Sequence, residues 1–165
     1  MKKLIQTRLV TTHKAGNCLQ TVLACMLDIP IDNVPDFSTM FWKADEIENL
    51  RAIYKPETLE NEWAKDTYNH RVSLWSLVFE TFIASQGYTF KRLYRGEKVL
   101  PEYSIDLWLK ENPDKFYTAS GDSLRGVSHI CIYQNDKLYH DPHPSQTGLV
   151  EGTIYEYKVF TKIDG

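Results

Sequence analysis

The sequence predicts an α+β fold in which helices come first and antiparallel strands follow. Up to about residue 86 the apolar residues recur at helical spacing, most plainly Val72, Trp75, Val78, Phe79, Phe82 and Ile83. From Tyr88 onward the pattern shortens to runs rich in aromatic and β-branched residues, divided by Gly, Pro, Asn and Asp. A block of helices before a block of strands gives segregated halves, because a parallel sheet needs the two to alternate. The length of 165 residues suits a single domain, 1–165.

Residues 4–10 read as a short strand or extended arm, and His13 to Asn17 as a loop broken at Gly16. A helix follows from about Cys18 to Asp28, with Leu19, Val22, Leu23, Met26 and Leu27 on its apolar positions and Pro30 and Pro35 closing it. Residues 44–54 and 57–69 read as two charged amphipathic helices, and 71–86 as a third, stopped by Gly87. Tyr88 to Tyr94 is a strand. Ser104 caps a short helix that ends before Pro113. Phe116 to Thr118, Ser128 to Tyr133, Lys137 to Asp141 and Thr153 to Phe160 are strands.

Composition narrows the function classes. At 42% hydrophobic and 25% charged the chain matches ordinary globular proteins, and 13% aromatic residues supply a core. A net charge of −3 argues against a non-specific grip on nucleic acid. The basic cluster Lys91, Arg92, Arg95 and Lys98 around Tyr94 reads as a solvated edge. No run approaches a membrane span of ~20 apolar residues. The start Met1-Lys2-Lys3-Leu4-Ile5 is followed by polar Thr11-Thr12-His13-Lys14 where a signal peptide needs an apolar core. A cytoplasmic protein without a membrane partner is expected. Three cysteines at irregular spacing, with no CxxC pair, make neither a disulfide framework nor a zinc ribbon, and no cofactor is expected.

Cys18 is the candidate nucleophile. The first turn of a helix favours a thiolate, because its N–H groups are unpaired and the dipole is positive there. Gly16 would let the chain turn and a substrate approach, and the Cys18 N–H would help bind an oxyanion. A cysteine at such a position is more commonly a small buried residue, which is the role expected of Cys25 and Cys131.

The candidate base lies on a hairpin, Ser128 to Pro142, with its turn near Asn135-Asp136. A two-residue loop pairs Cys131 with His140 and leaves Asp141 on the face opposite His129. A three-residue loop, Asn135 to Lys137, pairs Cys131 with Asp141 and puts His129, Cys131, Tyr133, Tyr139 and Asp141 on one face. Ile130, Ile132, Leu138 and His140 then share the other. The second register separates apolar residues better and is preferred. It sets Asp141 diagonal to His129, where it would fix the imidazole tautomer while His129 moves the thiol proton. Zinc on His140, His143 and Cys18 is the competing arrangement, weakened because His140-Asp141-Pro142-His143 is not a helix face.

The stretches Gln6-Thr7, Gly16-Asn17-Cys18, Ala24-Cys25-Met26-Leu27 and Val34-Pro35-Asp36-Phe37 resemble the N-terminal signature of small papain-like proteins of phages and bacteria. Gly126-Val127-Ser128-His129 and His140-Asp141-Pro142-His143-Pro144-Ser145 look like their C-terminal signature. The order cysteine, histidine, aspartate-proline is also similar to the bacteriocin-processing (double-glycine) peptidases. The resemblance covers the two ends and leaves 40–115 unmatched. It implies a papain-like fold, with the cysteine helix packed on a C-terminal antiparallel sheet, and a thiol protease or related hydrolase with the catalytic triad Cys18, His129 and Asp141. Relatives of this kind carry an oxyanion glutamine a few residues before the cysteine. Thr12 stands six before Cys18, so Gln6 is the candidate and Asn17 the fallback.

The function expected is therefore a cysteine hydrolase or acyltransferase acting on an amide, isopeptide or thioester of a protein or peptide-like substrate, in a phage or bacterial setting. The alternative is a catalytically weakened fold that binds or inhibits a partner, for example in counter-defence, with Phe41, Trp42, Trp63 and Tyr68 as its surface.

Overall fold

The computed structural model describes residues 1–10, 16–39 and 62–163, and for 62–73 the backbone alone. Its helices are α1 (Cys18–Leu27), α2 (Glu62–Ser85) and α3 (Ile105–Glu111). Its strands are β1 (Tyr88–Leu93), β2 (Phe116–Asp122), β3 (Ser128–Gln134), β4 (Lys137–His140) and β5 (Glu156–Lys162). The five strands make one antiparallel sheet in the order β1-β5-β2-β3-β4, so the architecture is α+β. No described helix is long and apolar enough to cross a membrane.

α1 stops where expected, but by a different device. Asp28 takes the left-handed conformation, with φ 56°, and its N–H bonds Ala24 O, so the helix has closed before either proline. α2 corrects the boundary read near residue 70. The segments 57–69 and 71–86 were expected as separate helices, yet from Glu62 onward they are one. Asn69-His70 holds neither proline nor glycine, and nothing there interrupts the i→i−4 ladder. Gly87, at φ 77°, then ends α2 with its N–H on Ala84 O. Ser104 Oγ accepts the Leu107 N–H and starts α3 as the sequence predicts. The expected helix at 44–54, with Phe41 and Trp42, lies outside the described residues, as do the side chains of Trp63 and Tyr68.

Both faces of the sheet are covered. On one, Val22 and Cys25 of α1 meet Ile130 and Ile132 of β3. Beside them Leu23, Ala24 and Leu27 pack with Val34, Phe37, Phe79 and Ile83, and Trp75 stacks on Phe79 at 5.1 Å. On the other face Tyr117, Ala119, Tyr157 and Val159 pack with Ile105 of α3. Helix and sheet are thus fastened through β3, the strand that carries His129.

The β3–β4 hairpin corrects the expected register. Its loop has two residues, not three: Gln134 pairs with Lys137, and Asn135 and Asp136 both have positive φ, 51° and 59°. Such a turn matches the strand twist, and Asn and Asp tolerate it. Asp136 is fixed further by Tyr117 Oη at 3.1 Å and Arg95 Nη2 at 2.9 Å. The pairing then slips, because Tyr133 faces Leu138 while Ile132 faces His140, leaving Tyr139 as a bulge. Continued one residue further, that shifted register sets Asp141 opposite Cys131. The two-residue turn and the bulge together deliver the placement of Asp141 that the three-residue loop was invoked to provide. Leu138 and Tyr139 exchange the expected faces: Leu138 lies opposite Tyr133, and Tyr139 packs on Phe116 at 4.6 Å.

Arg95 is spent on Asp106 and Asp136, and Arg92 pairs with Glu156, which leaves the basic cluster largely neutralised. Replacing Asp136 by Ala strands the buried Tyr117 hydroxyl and frees Arg95. A loss of about 1–3 kcal/mol in urea unfolding is expected, with Asp136→Asn nearer the wild type.

Candidate functional site

The site is assembled by the N-terminal arm, the first turn of α1 and the end of the β3–β4 hairpin. The arm is laced to both partners. Leu4 N–H donates to Cys25 Sγ at 3.3 Å and Leu4 O accepts from His140 Nε2 at 2.6 Å. Gln6 N–H donates to Pro142 O at 2.8 Å. Arg8 exchanges bonds with Asn17: Arg8 N–H to Asn17 Oδ1 at 2.9 Å, and Asn17 N–H to Arg8 O at 3.1 Å. Arg8 also pairs with Asp36. Gly16 has a different role from the one expected. A Cβ there would lie 3.1 Å from Val10 Cγ2 and 3.2 Å from Arg8 O, so the missing side chain makes room for the arm.

Cys18 is the first residue of α1 and is partly buried. The N–H groups of Cys18, Leu19 and Gln20 have no intrahelical acceptor, and no acidic residue stands in this turn, so it is an unopposed positive dipole end. Asn17 does not cap the helix. Its Nδ2 donates to Thr7 Oγ1 and Gln20 Oε1, and its Oδ1 is held by Arg8, so the amide is committed to the strap. Gln6, twelve positions before Cys18, returns to the site. Its Nε2 donates to Arg8 O at 3.1 Å, the same oxygen that accepts Asn17 N–H, and its buried Oε1 has no hydrogen-bond partner among the described residues.

His129 and Asp141 are buried, and Nε2 lies 2.7 Å from Asp141 Oδ1. Asp141 Oδ1 also accepts His143 N–H at 2.7 Å, and Oδ2 accepts Gly148 N–H at 2.8 Å. Burial raises the Asp141 pKa, but His129 and the two backbone donors outweigh it and hold the carboxyl below its usual 3.8. A carboxylate accepts only, so Nε2 carries a proton and Nδ1 is the free position. Burial pulls the imidazolium down, yet Asp141, together with Cys131 and Cys18, holds His129 well above its usual 6.5. The same ring thus interacts electrostatically with the Cys18 and Cys131 thiols. Burial pushes the Cys131 thiol up. The arrangement is a helix-start thiol beside a protonatable imidazole whose far nitrogen is clamped by a carboxylate.

Cys18, His129 and Asp141 are therefore brought together, and Gln6 lies in the adjoining strap. The competing metal set is not assembled. His140 is occupied by Leu4 O and His143 by Ser145, at 2.8 Å. Three neighbours of the triad were given no part in it by the sequence. Tyr155 bonds Ser128 Oγ through its hydroxyl at 2.8 Å and interacts electrostatically with Cys18. The His143 ring stands edge-on to His129 at 6.1 Å. Cys131 Sγ lies within 4.8 Å of an imidazole nitrogen, and its two-residue spacing from His129 on one strand was the available signal.

The pair makes stability depend on pH in a definite way. His129 has a raised value, so its contribution is complete below 6.5 and fades as pH rises through the folded value. Asp141 has a depressed value, so its contribution is complete above 3.8 and fades as pH falls. The gap in unfolding free energy between wild type and Asp141→Asn is expected to peak between 3.8 and 6.5, at about 3 kcal/mol, and to narrow on either side. Denaturant titrations across pH would read it. No protein-family model, curated protein or solved structure matches this chain, and the site is understood from its own geometry.

Proposed function

We propose that this chain is a papain-like cysteine hydrolase or acyltransferase that cleaves an amide, isopeptide or thioester in a protein or peptide-like substrate. The observation that carries it is one buried imidazole meeting Asp141 through Nε2 at 2.7 Å and also interacting electrostatically with Cys18, the first residue of α1. In this mechanism Cys18 Sγ attacks the carbonyl carbon as thiolate. Negative charge gathers on the carbonyl oxygen, beside the first-turn N–H groups of α1. Nε2 of Gln6 has two protons, and the one not given to Arg8 O is the candidate second donor. The leaving amine or thiol takes the Nδ1 proton of His129 and departs, leaving an acyl-enzyme. Water or an acceptor amine gives its proton to His129, attacks, and releases Cys18. Asp141 keeps Nε2 protonated and the ring aimed throughout.

A second reading is a catalytically weakened fold that acts as a binding or inhibitory protein. It is favoured by the engagement of Gln6 Nε2 with Arg8 O and by the unpartnered Oε1. A thiol-reactive acyl probe separates the two. Wild type should be labelled once, at Cys18, and Cys18→Ala not at all. His129→Ala should slow labelling by about 10²–10⁴-fold. Equal labelling of wild type and Cys18→Ala would remove Cys18 as the nucleophile. A host complex captured equally by wild type and Cys18→Ser, without labelling of either, would establish the binding reading.

A further inference from the structure

Cys131 takes no part in the mechanism above, yet it is fully buried against the site. A ring nitrogen of His129, Cys131 Sγ and a carboxylate oxygen of Asp141 lie within 4.8 Å of one another, and all three residues are buried. A thiol, an imidazole and a carboxylate converging at that distance are a mixed S, N and O donor set. Thiolate and imidazole select zinc over magnesium or calcium, which take oxygen. Tetrahedral zinc, with bonds of about 2.0–2.3 Å, places its donors roughly 3.3–3.8 Å apart. The His129–Asp141 contact, 2.7 Å, therefore opens by at least about 0.6 Å, and Cys131 closes in. Asp141 does not drift meanwhile, because the N–H groups of His143 and Gly148 hold it independently.

We propose that His129, Cys131 and Asp141 form a binding site for a thiophilic divalent cation, zinc by its donor chemistry, whose occupancy silences Cys18. Metal uptake stands on the three ligands alone, and only the silencing rests on Cys18 being the nucleophile. The protons balance as follows. The Cys131 thiol loses its proton to become thiolate, the imidazolium of His129 loses the Nε2 proton, and both leave to solvent as zinc enters. Zinc with one thiolate and one carboxylate sums to zero charge, as a buried site requires. The remaining imidazole proton then sits on Nδ1. With Nε2 on the metal and Nδ1 protonated, the ring has no lone pair to accept a proton from Cys18, and it no longer meets Asp141 by a hydrogen bond.

The test uses the full chain stripped of metal with a chelator. Zinc chloride is titrated against a chromophoric chelator, and cobalt(II) is used as a spectroscopic substitute. One ion per chain is expected, with a thiolate-to-cobalt charge-transfer band in wild type and in Cys18→Ala. Cys131→Ala should bind at least about 100-fold more weakly and lack that band. Cys131→Ser, which keeps the side-chain size, should do the same while its circular dichroism matches wild type. Zinc should cut acyl-probe labelling of wild type at least tenfold, and leave each Cys131 variant at its own metal-free level. The proposal is overturned if wild type takes up neither ion, if both Cys131 variants bind like wild type, or if Cys18→Ala abolishes uptake. A probe that never labels Cys18 even without metal refutes the nucleophile assignment, and the cobalt band still decides the metal site.

Discussion

Burying an imidazole and a carboxylate together costs several kcal/mol per ion before any attraction is counted, and much of the chain's local structure around this pair serves to offset that. Asp141 receives three donors, the His129 ring and the N–H groups of His143 and Gly148, which is close to the full capacity of a carboxylate. Those backbone donors exist because the chain reverses just after β4. Gly148, at φ 72°, comes so near Leu138 that a Cβ there would lie 3.0 Å from its Cδ2. The close approach delivers the Gly148 N–H to Oδ2, and a side chain would push it away. Tyr139 performs the complementary task in β4. By bulging, it moves the register one step, which turns Asp141 toward His129 without altering the turn.

The second half of the site is held by chain crossing rather than by helix or sheet. Residues 4–8 run between α1 and the end of β4, bonded to Cys25 on one side and to His140 and Pro142 on the other. Asn17, immediately before Cys18, is tied to Thr7, Arg8 and Gln20. The thiol therefore sits on a helix start whose preceding residue is fixed by four hydrogen bonds. That rigidity suits the nucleophile proposed for Cys18, since reactivity falls steeply with small misplacements. It also explains why Asn17 is a positioning residue: its amide has no donor left over.

How far the sequence disclosed this follows the range of the interactions involved. α1, α3 with its Ser104 cap, and the apolar stripe of α2 are set by local spacing and were legible. The continuity of α2 was not, because the two helical segments were divided at Asn69-His70, where no residue type breaks a helix. The hairpin was legible in position and in the facing of Asp141, yet its mechanism was misread. A uniform register was assumed, while the bulge depends on Tyr139 finding Phe116 and on Lys3 lying over the Tyr139 ring at 4.0 Å. The return of Gln6 depends on a bond to Pro142, and no local pattern encodes a contact between opposite ends of the chain. Cys131 was visible by its spacing and was assigned to the core, where its sulfur does lie. What spacing does not convey is that the core at that point is the underside of the imidazole.

That underside explains why the site has two thiols with different chemistry. Cys18 is partly exposed at the positive end of a helix, whereas Cys131 has no access to solvent and burial keeps its proton on. Only the former can be reached from solvent. For the latter, burial favours the thiol, and a cation taking the place of its proton would find the ring and carboxylate donors within 4.8 Å of the sulfur. The residues that favour an imidazolium when protons are the only cations are thus the same ones that favour a metal when one is present. In the proposed site Nε2 of His129 bonds Asp141 when protonated and the cation when one is bound, and in the second state the remaining proton is confined to Nδ1.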